Sequence, residues 1–326
     1  MSEPLLSERT DAKLEGRILK FSGEAMLTPG ENMIEVRAID VNGNMSRTII
    51  RLNRSTTSAQ TKSDRKSADS VRLPNIWAVI VGISRYNSPR LQLEYADKDA
   101  QSFYGFLKDS IGGAVADERI DLLTNRNATR AEIIRSINEK LRMAFEDDEV
   151  ILFLACHGIP DEVSDELYFL GYDSDPDNIA GTGISQLDIQ KAIASARAKK
   201  ILLIVDACHS GAFGLAANMT QRGVTASLTN RLLQNLSDAR PGVAIFTASS
   251  ASEFSVEGKL WGGHGVFTNF LVNGLLGPAD SDEDGVITIR EAYEYVYRHV
   301  ADATKGKQHP DLQGKFDNNL PVSVIR

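Results

Sequence analysis

The chain has 326 residues, 42% hydrophobic and 25% charged, enough for one large globular domain and something smaller. A formal charge of -8 and a pI of about 5.3 argue against the basic face of a nucleic-acid binder and suit a cationic substrate or a calcium ion. Two cysteines rule out a disulfide framework and fit a reducing compartment, and no apolar run approaches the roughly 18 residues a membrane span needs.

The N-terminus has neither the basic nor the apolar region of a signal peptide, which favours a cytoplasmic location, and its abrupt polar start is what a fragment of a longer protein would show. Residues 14–52 read as short strands, with alternation from Met33 to Ile39 and turn signals at Pro29-Gly30 and Asn42-Gly43. The stretch LTPGENMIEVRAIDVNGNMSRTIIRL resembles the closing strands of bacterial immunoglobulin-like modules, too little for a whole sandwich, and the resemblance implies a partial β module over residues 1–52. Residues 53–73 are rich in Ser, Thr, Lys, Arg and Asp and read as a solvated linker.

From residue 74 to 326, short β-branched runs alternate with amphipathic helical patterns, which predicts an α/β domain with a mostly parallel sheet flanked by helices. Strands are expected at Ile76–Ile83, Ile120–Leu123, Val150–Ala155, Ile201–Val205 and Val243–Thr247. The third and fourth are apolar throughout and so buried on both faces. Helices are expected at Tyr95–Leu107, after a Thr129/Glu132 capping box, after Ser185 with Asp188, at Phe267–Leu276 and from Ile289 to about Asp302.

In open α/β sheets the functional crevice lies beyond the carboxyl ends of the strands, and two strands here end in reactive residues. ILFLACHG places His157 and Gly158 past the third strand, and ILLIVDACHSG places Cys208 past the fourth. A thiol becomes a nucleophile when an imidazole stabilises its thiolate or takes its proton, and adjacent parallel strands would bring the two together. The N–H groups of Gly158 and Cys208 would then face a developing oxyanion. Cys156 reads as inert core, because neighbours on a strand point to opposite faces; the same geometry disfavours a zinc site of Cys156, His157, Cys208 and His209. His264, in GGHGVFT, reads as loop or cleft rim, and His299 and His309 as surface residues.

Over residues 75–326 these motifs resemble the caspase, metacaspase and paracaspase superfamily, closest to the prokaryotic metacaspase-like members, with DACHSG in place of the caspase QAC. The resemblance implies a cysteine endopeptidase with Cys208 as nucleophile and His157 as acid/base. It also implies a pocket for Arg or Lys made by Asp206 and, from YADKDAQSF, Asp99. An activation loop is implied between Gly211 and Val243, where Arg222, Arg231 and Arg240 are candidate sites of self-cleavage.

DSDEDGVITIRE fits a calcium loop, with Asp280, Asp282 and Asp284 at positions 1, 3 and 5, Gly285 at 6, the Val286 carbonyl, Thr288, and Glu291 at 12. The match is close and makes calcium the expected cofactor; against it, such loops normally pair and a second one is missing, so the alternative is a solvated acidic turn. The functional alternatives are a silent caspase-like adaptor and a calcium-responsive interaction module. No organic cofactor is expected.

Overall fold

In the computed structural model the described residues are 10–15, 18–23, 30–39, 45–54, 74–161, 166–207, 240–250 and 255–325, with 235 and 253 besides. Up to residue 54 the description is of the backbone. The chain divides into two compact units, Met1–Ser70 and Val71–Arg326. The first holds two antiparallel hairpins, β1 (Thr10–Glu15) with β2 (Ile18–Gly23), and β3 (Gly30–Ile39) with β4 (Met45–Arg54). The alternation at 33–39 therefore falls within one strand.

The second unit is built on a six-stranded sheet. In chain order its elements begin with β5 (Ile76–Gly82), α1 (Ala96–Lys108), β6 (Ile120–Thr124), α2 (Arg130–Met143) and β7 (Glu149–Ala155). A hairpin follows, β8 (Gly158–Asp161) with β9 (Glu166–Phe169), then α3 (Ile179–Thr182), β10 (Ile184–Ser185), α4 (Gln186–Ser195) and β11 (Lys200–Asp206). The remainder is β12 (Val243–Thr247), β13 (Glu257–Gly258), β14 (His264–Gly265), α5 (Val266–Leu275), β15 (Val286–Thr288), α6 (Ile289–Ala303), β16 (Asp311–Lys315) and β17 (Pro321–Val324).

The sheet runs β16-β12-β11-β7-β5-β6; all pairs are parallel except β12 with β16. Alternate residues of each strand serve two cores. Val79, Val81, Leu152, Leu154 and Leu203 meet Ile133, Ile137 and Leu141 of α2 and Ile189 and Ile193 of α4. Ala78, Ile80, Phe153, Ile204 and Phe246 meet Phe103 of α1, Phe267 and Leu271 of α5, and Val296 and Val300 of α6. Burying one such aromatic side chain contributes about 1.5–3 kcal/mol, so both helical layers are held by their apolar faces. Among the described residues no helix is long and apolar enough to cross a membrane.

The expected strands and helices recur within one or two residues. The capping box does not sit where the sequence suggested. Thr129 accepts from Glu132 N, but the Glu132 carboxylate turns to Arg135, so only half a box forms. A complete box occurs instead at Thr288 and Glu291. The hairpin β8–β9 and the polar strands β16 and β17 had no sequence expectation, because DLQGK and PVSV lack a sustained alternation.

One close approach positions α1 over the sheet. A Cβ on Gly82 would lie 2.4 Å from both Ala100 Cβ and the Ala96 carbonyl oxygen, so only glycine lets the end of β5 reach the helix that carries Asp99.

Candidate active site

β7 and β11 are neighbours, and their last register pair is Ala155 with Asp206. His157 and Cys208 each stand two residues beyond that pair in the sequence. Cys208 lies outside the described residues, as do Arg222 and Arg231.

His157 is fully buried, and several hydrogen bonds hold it. Its backbone N donates to the Tyr86 hydroxyl at 3.0 Å, its carbonyl accepts from Leu170 N at 2.9 Å, and its Nε2 lies 2.9 Å from the Leu91 carbonyl oxygen. A carbonyl only accepts, so the ring carries its proton on Nε2 and Nδ1 is the basic nitrogen. Burial lowers the imidazole pKa to about 4, against the opposing pull of the Leu91 hydrogen bond, so the ring is neutral near pH 7. A short 3-10 turn, Pro89–Leu91, presents that carbonyl. Sequence reasoning could name no partner for His157, because a backbone oxygen has no residue signature.

Gly158 stands opposite Phe169, and the bond from Leu170 N to His157 O makes this a non-hydrogen-bonded pair. The Gly158 N–H therefore points away from β9. A Cβ at Gly158 would lie 3.1 Å from Ala207 Cβ, so the strand ends converge closely at the residue before Cys208.

Asp99 and Asp206, 107 positions apart, face each other across Gly265. Asp99 Oδ2 and Asp206 Oδ2 each lie 3.1 Å from the point a Gly265 Cβ would occupy. Asp99 accepts from Gly265 N at 3.1–3.2 Å and is met at 2.8 Å by His264 Nδ1. Asp206 accepts from Ser255 Oγ at 2.9 Å and Thr268 Oγ1 at 2.7 Å. Burial raises both carboxyl pKa values, and the charge of Asp99 raises that of Asp206 further. Glu257 is raised as well, first by burial and then by the charges of Asp99 and Glu94. The result is a buried acidic pair whose second proton leaves reluctantly unless a cation arrives. His264, expected at a cleft rim, contacts Asp99 directly. The sequence reading had not singled out Tyr86, Leu91, Ser255, Gly265 or Thr268; none carries a signal outside its three-dimensional neighbourhood.

The other expected residues lie elsewhere. Cys156 packs in the core with its thiol pushed up to about 12 by burial. His309 is bonded to Glu253 at 2.6 Å, and His299 stacks on Tyr295. Arg240 donates from Nη1 to the Ala196 carbonyl, at the end of α4. In the acidic loop, carboxylate oxygens of Asp280, Asp282 and Asp284 lie within 4.8 Å of one another. Glu291 is turned to Ser281 (3.0 Å to N, 2.8 Å to Oγ) and Thr288 (3.0 Å to N, 2.9 Å to Oγ1). Burial opposes its ionisation, but these hydrogen bonds outweigh it and lower its pKa to about 2. Val286 N donates to Asp284, and β15 pairs with β17.

A mixed, largely parallel sheet with a buried histidine and an acidic pair at its carboxyl edge defines a caspase-like α/β domain. The caspase-domain family model matches residues 75–320, and the chain belongs to that family, whose class is cysteine peptidase. Protein GSU0716 from Geobacter sulfurreducens is similar in structure, with a TM-score of 0.53 at 15% identity over 78% of this chain and 100% of its own. Caspase-1 from Spodoptera frugiperda is similar at a TM-score of 0.51 and 14% identity, over 83% and 99%. No curated protein matches the sequence.

Proposed function

We propose that the chain is an endopeptidase that cleaves after Arg or Lys, with Cys208 as nucleophile and His157 as acid/base. The observation that carries the reading is the buried pair Asp99 and Asp206, the latter two residues of chain from Cys208, which would repel an acidic side chain and pair with a guanidinium or ammonium. Ala207, the residue before Cys208, has its Cβ 3.1 Å from the point a Gly158 Cβ would occupy.

The Cys208 proton would pass to His157, and the thiolate would add to the scissile carbonyl while the N–H of Gly158 and that of Cys208 stabilise the oxyanion. Collapse breaks the C–N bond as His157 returns the proton to the leaving amine. Water, deprotonated by His157, then hydrolyses the thioester and regenerates the thiol. The tautomer leaves Nδ1 as the proton acceptor, and because burial lowers the ring's basicity, its protonation depends on the Cys208 thiolate forming beside it as charge partner.

The test is cleavage of quenched peptides ending in Arg, Lys or Asp at the scissile position. Arg and Lys peptides should be cut, and Cys208→Ala and His157→Ala should abolish cutting; a preference for Asp sinks the pocket assignment. Self-cleavage after Arg222 or Arg231 belongs to the same reading and is checked by mass spectrometry against Cys208→Ala. Arg240, tied to the end of α4, would first have to leave it.

A calcium site at 280–291 is a second reading, favoured by the convergence of Asp280, Asp282 and Asp284 around the turn at Gly285. Glu291 would exchange Ser281 for the ion. Calorimetry with calcium at up to millimolar concentration tests it, and absence of uptake reduces the loop to a structural turn.

A further inference from the structure

The proposed chemistry gives His264 no task, yet among the described residues it is the ion-pair partner of Asp99. Its Nδ1 is 2.8 Å from Asp99 Oδ1, with the carboxylate 4% and the imidazole 27% exposed. From β11, Asp206 faces the same space. From β13, Glu257 adds a third carboxylate, bonded to the backbone at Glu94 and Tyr95. Glu94 precedes α1, while Asp97 and Lys98 lie on it. Lys98 Nζ sits 5.0 Å from the Tyr95 ring centroid and 3.4 Å from the place of a Gly263 Cβ.

Two carboxylates confined this way are costly to ionise without a cation, and the His264 imidazole is a basic group in direct contact with one of them. It is also placed to withdraw. β13 and β14 are two-residue strands, and the residues before His264 are Gly262 (φ +69) and Gly263 (φ +80), in the left-handed region that glycine adopts without strain. The β13–β14 pairing itself is only two residues long.

We propose that His264 is an internal counter-ion of the acidic pocket: protonated, it competes with a basic substrate side chain for Asp99, and neutral, it yields the carboxylate. Affinity for a cation then rises as His264 loses its charge. The proposal rests on the reading of Asp99 and Asp206 as the site for a basic side chain. His264 acts through Asp99 and is thus a positioning residue that sets specificity.

The test uses the full chain carrying Cys208→Ala, so that binding is read without turnover, with benzamidine as the cation and benzamide as its neutral control. Calorimetry at pH 6, 7 and 8, in buffers of different ionisation heat, counts the protons released. Both His264 and Asp206 should lose protons to the ligand, whereas in His264→Asn, which donates a hydrogen bond but never charges, only Asp206 remains. The rise in affinity from pH 6 to 7 should be steeper in the parent by up to about tenfold, the factor one displaced proton contributes per pH unit. Proton release should fall in the variant by up to about one. Independently of any variant, saturating benzamidine should move the titration of the His264 ring, followed by NMR in the parent, to lower pH. Equal proton release with parallel pH curves, or an unmoved imidazole titration, overturns the proposal while leaving the basic pocket standing. Failure of parent and variant alike to prefer benzamidine over benzamide removes the pocket and the proposal with it.

Discussion

Acid should destabilise this domain in part through His157. The unfolded chain protonates the imidazole near pH 6.5, whereas the folded chain holds it neutral down to about pH 4, chiefly because burial penalises the cation. The unfolded state therefore binds more protons over that interval, so the histidine's contribution is fully present above pH 6.5 and is lost as pH falls to about 4. At about 1.36 kcal/mol for each pH unit, the loss is about 3 kcal/mol, a large part of a typical domain's stability. The assay is urea unfolding of wild type and His157→Gln at pH 7, 5.5 and 4, since glutamine can reach the Leu91 carbonyl but does not titrate. Glu149, pushed up to about 7 by burial, responds in the opposite sense, but it is shared by both proteins and cancels in their difference. The advantage of wild type over the variant should shrink by about 3 kcal/mol between pH 7 and 4. A change below about 0.5 kcal/mol, the usual error of such comparisons, would refute the reasoning and mean that the imidazole is solvated.

Four further outcomes are expected. Gly265→Ala, whose Cβ would press on both carboxylates at 3.1 Å, should raise KM for an Arg peptide about tenfold while sparing the fold, measured by peptide kinetics and thermal melts. Gly158→Ala must displace Ala207 by a few tenths of an ångström and should lower kcat about tenfold or more, with little change in KM. Iodoacetamide at pH 8 should alkylate Cys208 and leave Cys156 intact in the folded chain, since a thiol with a pKa near 12 is ionised to roughly one part in ten thousand; peptide mapping reads the two sites. Glu291→Ala should cost about 1 kcal/mol without calcium, through the lost capping box of α6, and should blunt any rise in Tm on adding calcium.

The strands of the parallel sheet were legible because each is a short apolar run bounded by turn residues, and burial on both faces demands that composition. Val243–Thr247 matches its expected span to the residue. Helix starts at Thr129 and Ser185 were equally local, since a cap is a contact across three residues. Edge strand β16 was not, because half-exposed, polar DLQGK gains its place only from pairing with β12. The same division holds at the candidate site. That His157 and Cys208 follow buried strands could be read along the chain, while the register that sets Ala155 beside Asp206 is a property of the sheet. Asp99 and Asp206 entered the sequence reading through family resemblance; their approach across Gly265, the seat of His264 on Asp99 and the Leu91 carbonyl behind His157 exist only after α1, β14 and the strand ends pack together. Local propensity and periodicity act over a few residues, and contacts separated by 66, 107 and 165 positions are chosen by the packing of the whole core.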